Sequence, residues 1–156
     1  MNLRYRTNLG EKAGRLELRV VGNYLDKLSF VPMLGADPQK EIDSADYPAP
    51  RWSANFDLTW IKRPFTFNYG INWWDKTRRV SREQEAANPD YAPAQCIWYR
   101  EKWEHEIYMA YDVTERFQFY GGVNNLFERK PDDGAVAYPV SAVGRYFFVG
   151  VKAKIF

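Results

Sequence analysis

The 156-residue chain is 46% apolar and 17% aromatic, with six Trp and eleven Tyr. Its mean hydropathy is nevertheless −0.57, so apolar and polar residues must be interleaved. No run of about 18 apolar residues occurs, which excludes a transmembrane helix, whereas a barrel strand crosses a bilayer with about 10 alternating residues. The net charge of +2 is spread along the chain and gives no reason to expect a nucleic-acid partner. The single cysteine, Cys96, excludes an internal disulfide and a cysteine-rich metal site.

The opening residues, Met1-Asn2-Leu3-Arg4-Tyr5-Arg6, have neither the apolar core nor the cleavage site of a signal peptide and read as strand, so a truncated front end is the expectation. A strand stub from Leu3 to Thr7 leads through a turn at 8–14 to a strand that places Leu16, Leu18, Val20, Gly22 and Tyr24 on one face. The clearest alternation follows. Trp52, Ala54, Phe56, Leu58 and Trp60 alternate with Ser53, Asn55, Asp57 and Thr59, and then Phe65, Phe67, Tyr69, Ile71 and Trp73 alternate with Thr66, Asn68, Gly70 and Asn72. Period-two patterning of this kind puts one chemistry on each face of a sheet. The intervening Ile61-Lys62-Arg63-Pro64 makes the pair a hairpin. A fifth strand from Lys102 to Tyr111 carries Trp103, His105, Ile107, Met109 and Tyr111 on the apolar side. A sixth is expected from Phe117 to Phe127 and a seventh from Arg145 to Phe156.

Connection length sorts these strands. The connections after residues 7, 60 and 111 are short, and those over 29–50, 75–100 and 128–142 are long and rich in Pro, Asp and charge. Short and long connections alternate, so all short ones lie at one end of the sheet, as in outer-membrane barrels with short periplasmic turns and long extracellular loops. The expected fold is therefore all-β, an antiparallel transmembrane β-barrel segment of about seven strands in meander order.

The apolar face could point to an interior or to lipid. Position after position carries Trp, Phe or Tyr, which suits lipid better than the limited interior of a small closed barrel. Trp52 and Trp60, like Phe65 and Trp73, are eight residues apart, which is about 20 Å in height on a tilted strand, close to the apolar band between aromatic girdles. Trp52, Phe56, Trp60, Phe65, Phe67, Tyr69, Trp73 and Trp103 are accordingly expected to face lipid or form the girdles.

Few residues suggest chemistry. His105 is the single histidine and lies between Trp103 and Ile107 on the apolar face, so a catalytic role is not expected and the chain reads as no enzyme. Asp37, Glu41, Asp43, Asp46 and the pair Asp132-Asp133 match no calcium-loop spacing, so no metal or cofactor is expected. Lys76, Arg78 and Arg79 follow Trp73-Trp74 at the long-loop end, where lipopolysaccharide phosphates would lie.

Two stretches carry a family resemblance. Gly121-Gly122-Val123-Asn124-Asn125-Leu126-Phe127-Glu128-Arg129-Lys130-Pro131 resembles the penultimate strand of TonB-dependent receptors with its characteristic ending. Gly144-Arg145-Tyr146-Phe147-Phe148-Val149-Gly150-Val151 is similar to that family's last strand, and Tyr47-Pro48-Ala49-Pro50-Arg51-Trp52 looks like its approach to a strand from a loop. The resemblance spans essentially all of residues 1–156 and places them in the C-terminal portion of a receptor barrel, without plug domain or signal peptide. It implies a parent barrel of about 22 strands closed around a plug, and a terminal aromatic read by the outer-membrane assembly machinery. Phe156 matches that position, although Val149, Val151, Ala153 and Ile155 share a face that leaves Phe156 one residue out of phase.

Seven strands cannot close such a barrel, and open edges in lipid cost several kcal/mol per unpaired group, so a fragment unable to transport alone is expected. The implied role of the parent is TonB-driven uptake of a siderophore, cofactor or carbohydrate across the outer membrane of a Gram-negative bacterium. Its partners would be outer-membrane lipid and lipopolysaccharide, the remaining barrel and plug, and TonB through that plug. Two rival readings are a soluble β-barrel that buries Trp52, Trp60 and Trp73 around an apolar ligand, and a passive porin-like channel closed by an even number of strands.

Overall fold

The computed structural model describes residues 1–31, 33–40, 49–132, 140 and 142–154. Seven strands, β1 (Asn2–Asn8), β2 (Arg15–Tyr24), β3 (Trp52–Lys62), β4 (Phe65–Trp74), β5 (Lys102–Asp112), β6 (Phe117–Asn124) and β7 (Tyr146–Ala153), form one sheet in chain order. Every neighbouring pair is antiparallel. Among the described residues β1 bonds only to β2 and β7 only to β6, so the sheet is open at both edges.

The short connections are tight for identifiable reasons. In the first, Gly14 has φ +81, and a Cβ there would collide with the Ile61 carbonyl oxygen, so only glycine lets the turn lie against β3. The second is Arg63–Pro64, joined by a cis peptide bond. In the third, Thr114 Oγ1 accepts from the backbone N–H groups of Arg116 (3.2 Å) and Phe117 (3.1 Å), which closes the turn locally. The described parts of the long connections carry a two-residue ladder of Ser29–Phe30 with Gln39–Lys40, another of Thr77–Arg78 with Trp98–Tyr99, an α-helix, α1 (Arg82–Ala87), capped by Ser81 and Gln84, and a 3-10 turn at Ala94–Cys96.

Register assigns the faces. Thr7, Leu16, Trp60, Phe67, Met109, Gly121 and Val149 are consecutive cross-strand partners, so they share one face. That face is exposed: Phe65 retains 49% of its accessible surface, Phe119 53% and Val149 91%. Within the seven strands the buried residues are Gly70, Lys102 and Ala110, and all three lie on the opposite, polar face. The described buried apolar residues are just Val80, Ala110 and Val140. An apolar face this extensive, with no core beneath it, inverts the rule for a water-soluble sheet.

Two expectations about elements need correction, and one lies partly outside the described residues. β1 is a complete seven-residue strand, paired along its whole length with β2, not a stub. β6 stops at Asn124 instead of reaching Phe127, because Asn125 adopts φ 52 and Glu128 φ 55, which an extended strand cannot accommodate. β7 is described from Tyr146 to Ala153; Phe156, the expected assembly signal, lies outside the described residues, as do Glu41, Asp43, Asp46 and Asp133.

Candidate membrane-facing surface and loop cluster

The eight aromatic residues expected to meet lipid all lie on the exposed face. Five of them mark its two ends. Toward the long loops, Tyr24 packs on Trp52 (4.5 Å between centroids) and Trp73 on Trp103 (5.9 Å). Toward the short turns, Phe65 packs on Tyr111 at 4.9 Å, and Trp60 donates its indole N–H to Ala13 O at 2.8 Å. The Trp73 indole donates to Glu101 at the other end, at 3.3 Å. Both tryptophan N–H groups thus point to the rims, where water is available, and the rings stay on the apolar band.

Phe56, Phe67 and Tyr69 fill the zone between these belts, opposite Ile71, Trp60 and Leu58 respectively. Among the described residues, the polar side-chain contact in that zone is self-contained. Tyr69 Oη and His105 Nδ1 are hydrogen-bonded at 2.7 Å, and the edge of Phe127 covers the imidazole at 4.9 Å. His105 is therefore a partner of Tyr69.

The polar face has two characters. Over β1–β4 it is a network of amides and ions. Asn55 bonds to Asn72, Asn68 donates to Thr59 (2.8 Å), and Glu17 pairs with Arg6 (3.2 Å) and Arg15 (2.9 Å). Over β5–β7 it adds an aromatic cluster to polar residues such as Glu104, Glu106 and Gln118: Tyr108 lies 6.2 Å from Tyr120 and 6.4 Å from Phe148, which stacks on Tyr146 at 6.3 Å. The Tyr120 ring occupies the space a Cβ on Gly150 would need, and Phe148 that of Gly122. Sequence reasoning did not foresee this cluster; the glycines directly opposite Tyr120 and Phe148 were the available signal.

A packed cluster sits at the long-loop end. Thr77, Arg78, Val80, Lys102, Asn125 and Val140 are all buried there. Asn125, 2% exposed, accepts from Arg129 N–H (2.6 Å) and donates to Arg129 O (2.8 Å), pinning the bend after β6. Asp132 accepts from Arg129 at 3.0 Å and faces the Lys102 ammonium at 3.5 Å, so the loop after β6 is tied to the base of β5. Sequence inspection did not mark Asn125, Lys102 or Asp132 for this role, because their proximity depends on the pairing of β5 with β6.

The three cations proposed for lipopolysaccharide are not equivalent. Arg78 is buried; it pairs with Glu85, donates to Val80 O (3.1 Å), and lies 5.0 Å from the Trp98 ring centroid. Lys76 and Arg79 are exposed, 4.9 Å over Trp98 and 5.8 Å over Tyr99. Among the described residues no group of three or more His, Cys, Asp or Glu could hold a metal ion.

One face studded with exposed aromatics between two belts, and strict sorting of short and long connections, define a wall segment of a transmembrane β-barrel. No family model matches the sequence, and no curated protein matches it. Solved structures do. Two mutant structures of the ferric enterobactin receptor PfeA from Pseudomonas aeruginosa share the fold: one with TM-score 0.58 and 15% identity over 88% of this chain, the other with 0.57 and 13% over 97%. The chain spans about a fifth of their length, 20% and 21%. The fold is thus that of part of a receptor barrel, as the resemblance of Gly121–Pro131 and Gly144–Val151 to TonB-dependent receptors implied.

Proposed function

We propose that this chain forms part of the barrel wall of a TonB-dependent receptor in the outer membrane of a Gram-negative bacterium, and acts in uptake of a ferric siderophore. The observation that carries the reading is the exposed aromatic face bounded by belts at Tyr24/Trp52/Trp73/Trp103 and at Trp60/Phe65/Tyr111. The likeness to a ferric enterobactin receptor favours a siderophore over a cofactor or carbohydrate. In this arrangement the short turns face the periplasm and the long loops the exterior. Lys76 and Arg79 meet lipopolysaccharide phosphates, and the polar face lines the lumen against a plug that engages TonB. The outer-membrane assembly machinery inserts the barrel, and the chain is a transport protein, not an enzyme.

The open edges specify what completes the wall. β1 and β7 run in the same direction, because an odd number of antiparallel strands separates them inclusively. Antiparallel pairing at both edges therefore needs an odd number of further strands, and two copies joined head to tail would set like-directed strands side by side. Further strands of the same receptor satisfy this requirement and the unpaired N–H and C=O groups. The test is uptake of a radiolabelled ferric siderophore by cells in which the coding region for residues 1–156 is interrupted. Loss of one energised uptake activity is expected, and unchanged uptake of every ferric siderophore supplied would count against the proposal.

A further inference from the structure

On the inner face of β1–β5, one row of residues stands apart from its neighbours. In the row nearer the short turns, Arg6 pairs with Glu17 (3.2 Å) and Asn68 donates to Thr59 (2.8 Å). In the row nearer the long loops, Asn55 bonds to Asn72. Between them, register sets Arg4, Arg19, Asp57, Gly70 and Glu106 side by side. No ion pair among the described residues joins any of those four charged groups. The Glu106 side chain fills the space a Cβ on Gly70 would need, so the row is acidic at one end and cationic at the other.

The cationic end is the less balanced. Arg4 and Arg19 are exposed and directly opposite each other, and like charges so placed work against the pairing of their strands. The inner-face positions of β1 and β2 carry the guanidinium groups of Arg4, Arg6, Arg15 and Arg19 against the single carboxylate of Glu17, which Arg6 and Arg15 already share. Arg4, Arg6, Glu17, Arg19, Asp57 and Asn68 border a recess of about 280 Å³. Arg19 has a strand on each side, β1 and β3, so a further partner reaches it only from the lumen.

We propose that this recess anchors a carboxylate side chain, an Asp or Glu on the surface of the plug. The inference rests on the receptor reading above and names a contact that sets the plug against the wall. In an open lumen water solvates both guanidinium groups. A domain that fills the lumen removes that water, and a charge left unpaired there is costly. One carboxylate accepting from Arg4 and Arg19 removes the cost through charge-assisted hydrogen bonds. The adjoining rows, bonded within the wall, make no such demand. The volume suits an amino-acid side chain, since small-molecule sites span about 300–1,000 Å³.

Zero-length cross-linking of the full-length receptor in detergent, free of siderophore, reads the contact directly. With Arg19→Lys, a water-soluble carbodiimide joins the new amine to a touching carboxylate as an amide, with loss of water. Peptide mass spectrometry is expected to find the link to an Asp or Glu of the plug. Links to Glu17 or Asp57 alone, to a barrel strand outside residues 1–156, or to nothing overturn the proposal. Arg4→Gln combined with Arg19→Gln should speed amide hydrogen exchange in the linked plug segment by on the order of ten-fold. Arg4→Lys with Arg19→Lys, which keeps both charges, should restore most of the protection. Unchanged exchange in the glutamine pair also overturns the proposal. A full-length chain with no domain in its lumen contradicts the receptor reading and this anchor with it. A filled lumen with neither link nor faster exchange contradicts the anchor alone.

Discussion

The two faces of the same seven strands follow opposite rules. One is apolar yet exposed, with Phe119 at 53% and Val149 at 91% of full accessibility. The other is polar or aromatic and contains every buried residue of the strands, Lys102 included. In water the first face would be the core and the second the surface. The contrast teaches that solvent identity, not polarity alone, decides what a strand pattern means: on the proposed reading the outer face has lipid as its medium, and the inner face must satisfy its polar groups within the protein.

The sharpest way to break the comparison is to place one charge on each face at matched height. Ile107 lies midway between the belts, beside Tyr69, and Ile107→Arg should cost about 3 kcal/mol in folding into a bilayer. Asn68→Arg, one residue from Tyr69 on the inner face, loses the bond to Thr59 and should cost about 1 kcal/mol. Urea titration of bilayer-inserted protein, followed by tryptophan emission, measures both. Equal costs would remove the distinction between the faces.

A second contrast sets the two ends against each other. The long-loop end holds a packed cluster, and the short turns close through local bonds. Asn125→Ala removes both side-chain bonds to Arg129 and should destabilise the loop after β6 by about 2 kcal/mol. Faster amide hydrogen exchange at 126–132, with β2–β4 unchanged, is the expected signature. An effect as small as that of Asn68→Arg belongs to the lower belt: Trp60→Phe keeps an aromatic ring but gives up the bond to Ala13 O and should cost about 1 kcal/mol in the same titration. If Trp60→Phe cost nothing, the belt would be held by ring placement alone.

Most of the sheet was legible because its signals are local. Alternation from Trp52 to Trp60 and from Phe65 to Trp73 needs only neighbouring residues to be read, and connection length orders the strands without knowledge of their contacts. What escaped depends on pairing across the chain or on backbone conformation. The end of β6 is set by the left-handed Asn125, which the apolar Leu126-Phe127 that follow it conceal. The ladder of Thr77–Arg78 with Trp98–Tyr99 turns Arg78 inward while Lys76 and Arg79 stay outside, a division invisible in a run of similar cations. The inner aromatic cluster was hidden for a related reason: only register sets Tyr108 and Phe148 opposite Gly122 and Tyr120 opposite Gly150, where the missing side chains let the rings meet.

The central claim is that the aromatic face meets lipid while its alternate face does not. Nitroxide labels placed singly at positions 54 to 59 along β3, with Cys96 replaced by serine and the protein in lipid bilayers, test it by accessibility to oxygen and to a water-soluble nickel chelate. The account predicts oxygen maxima at Ala54, Phe56 and Leu58, nickel access confined to Asn55, Asp57 and Thr59, and a strict period of two. An inverted phase, or nickel access at Phe56 equal to that at Asp57, would contradict it.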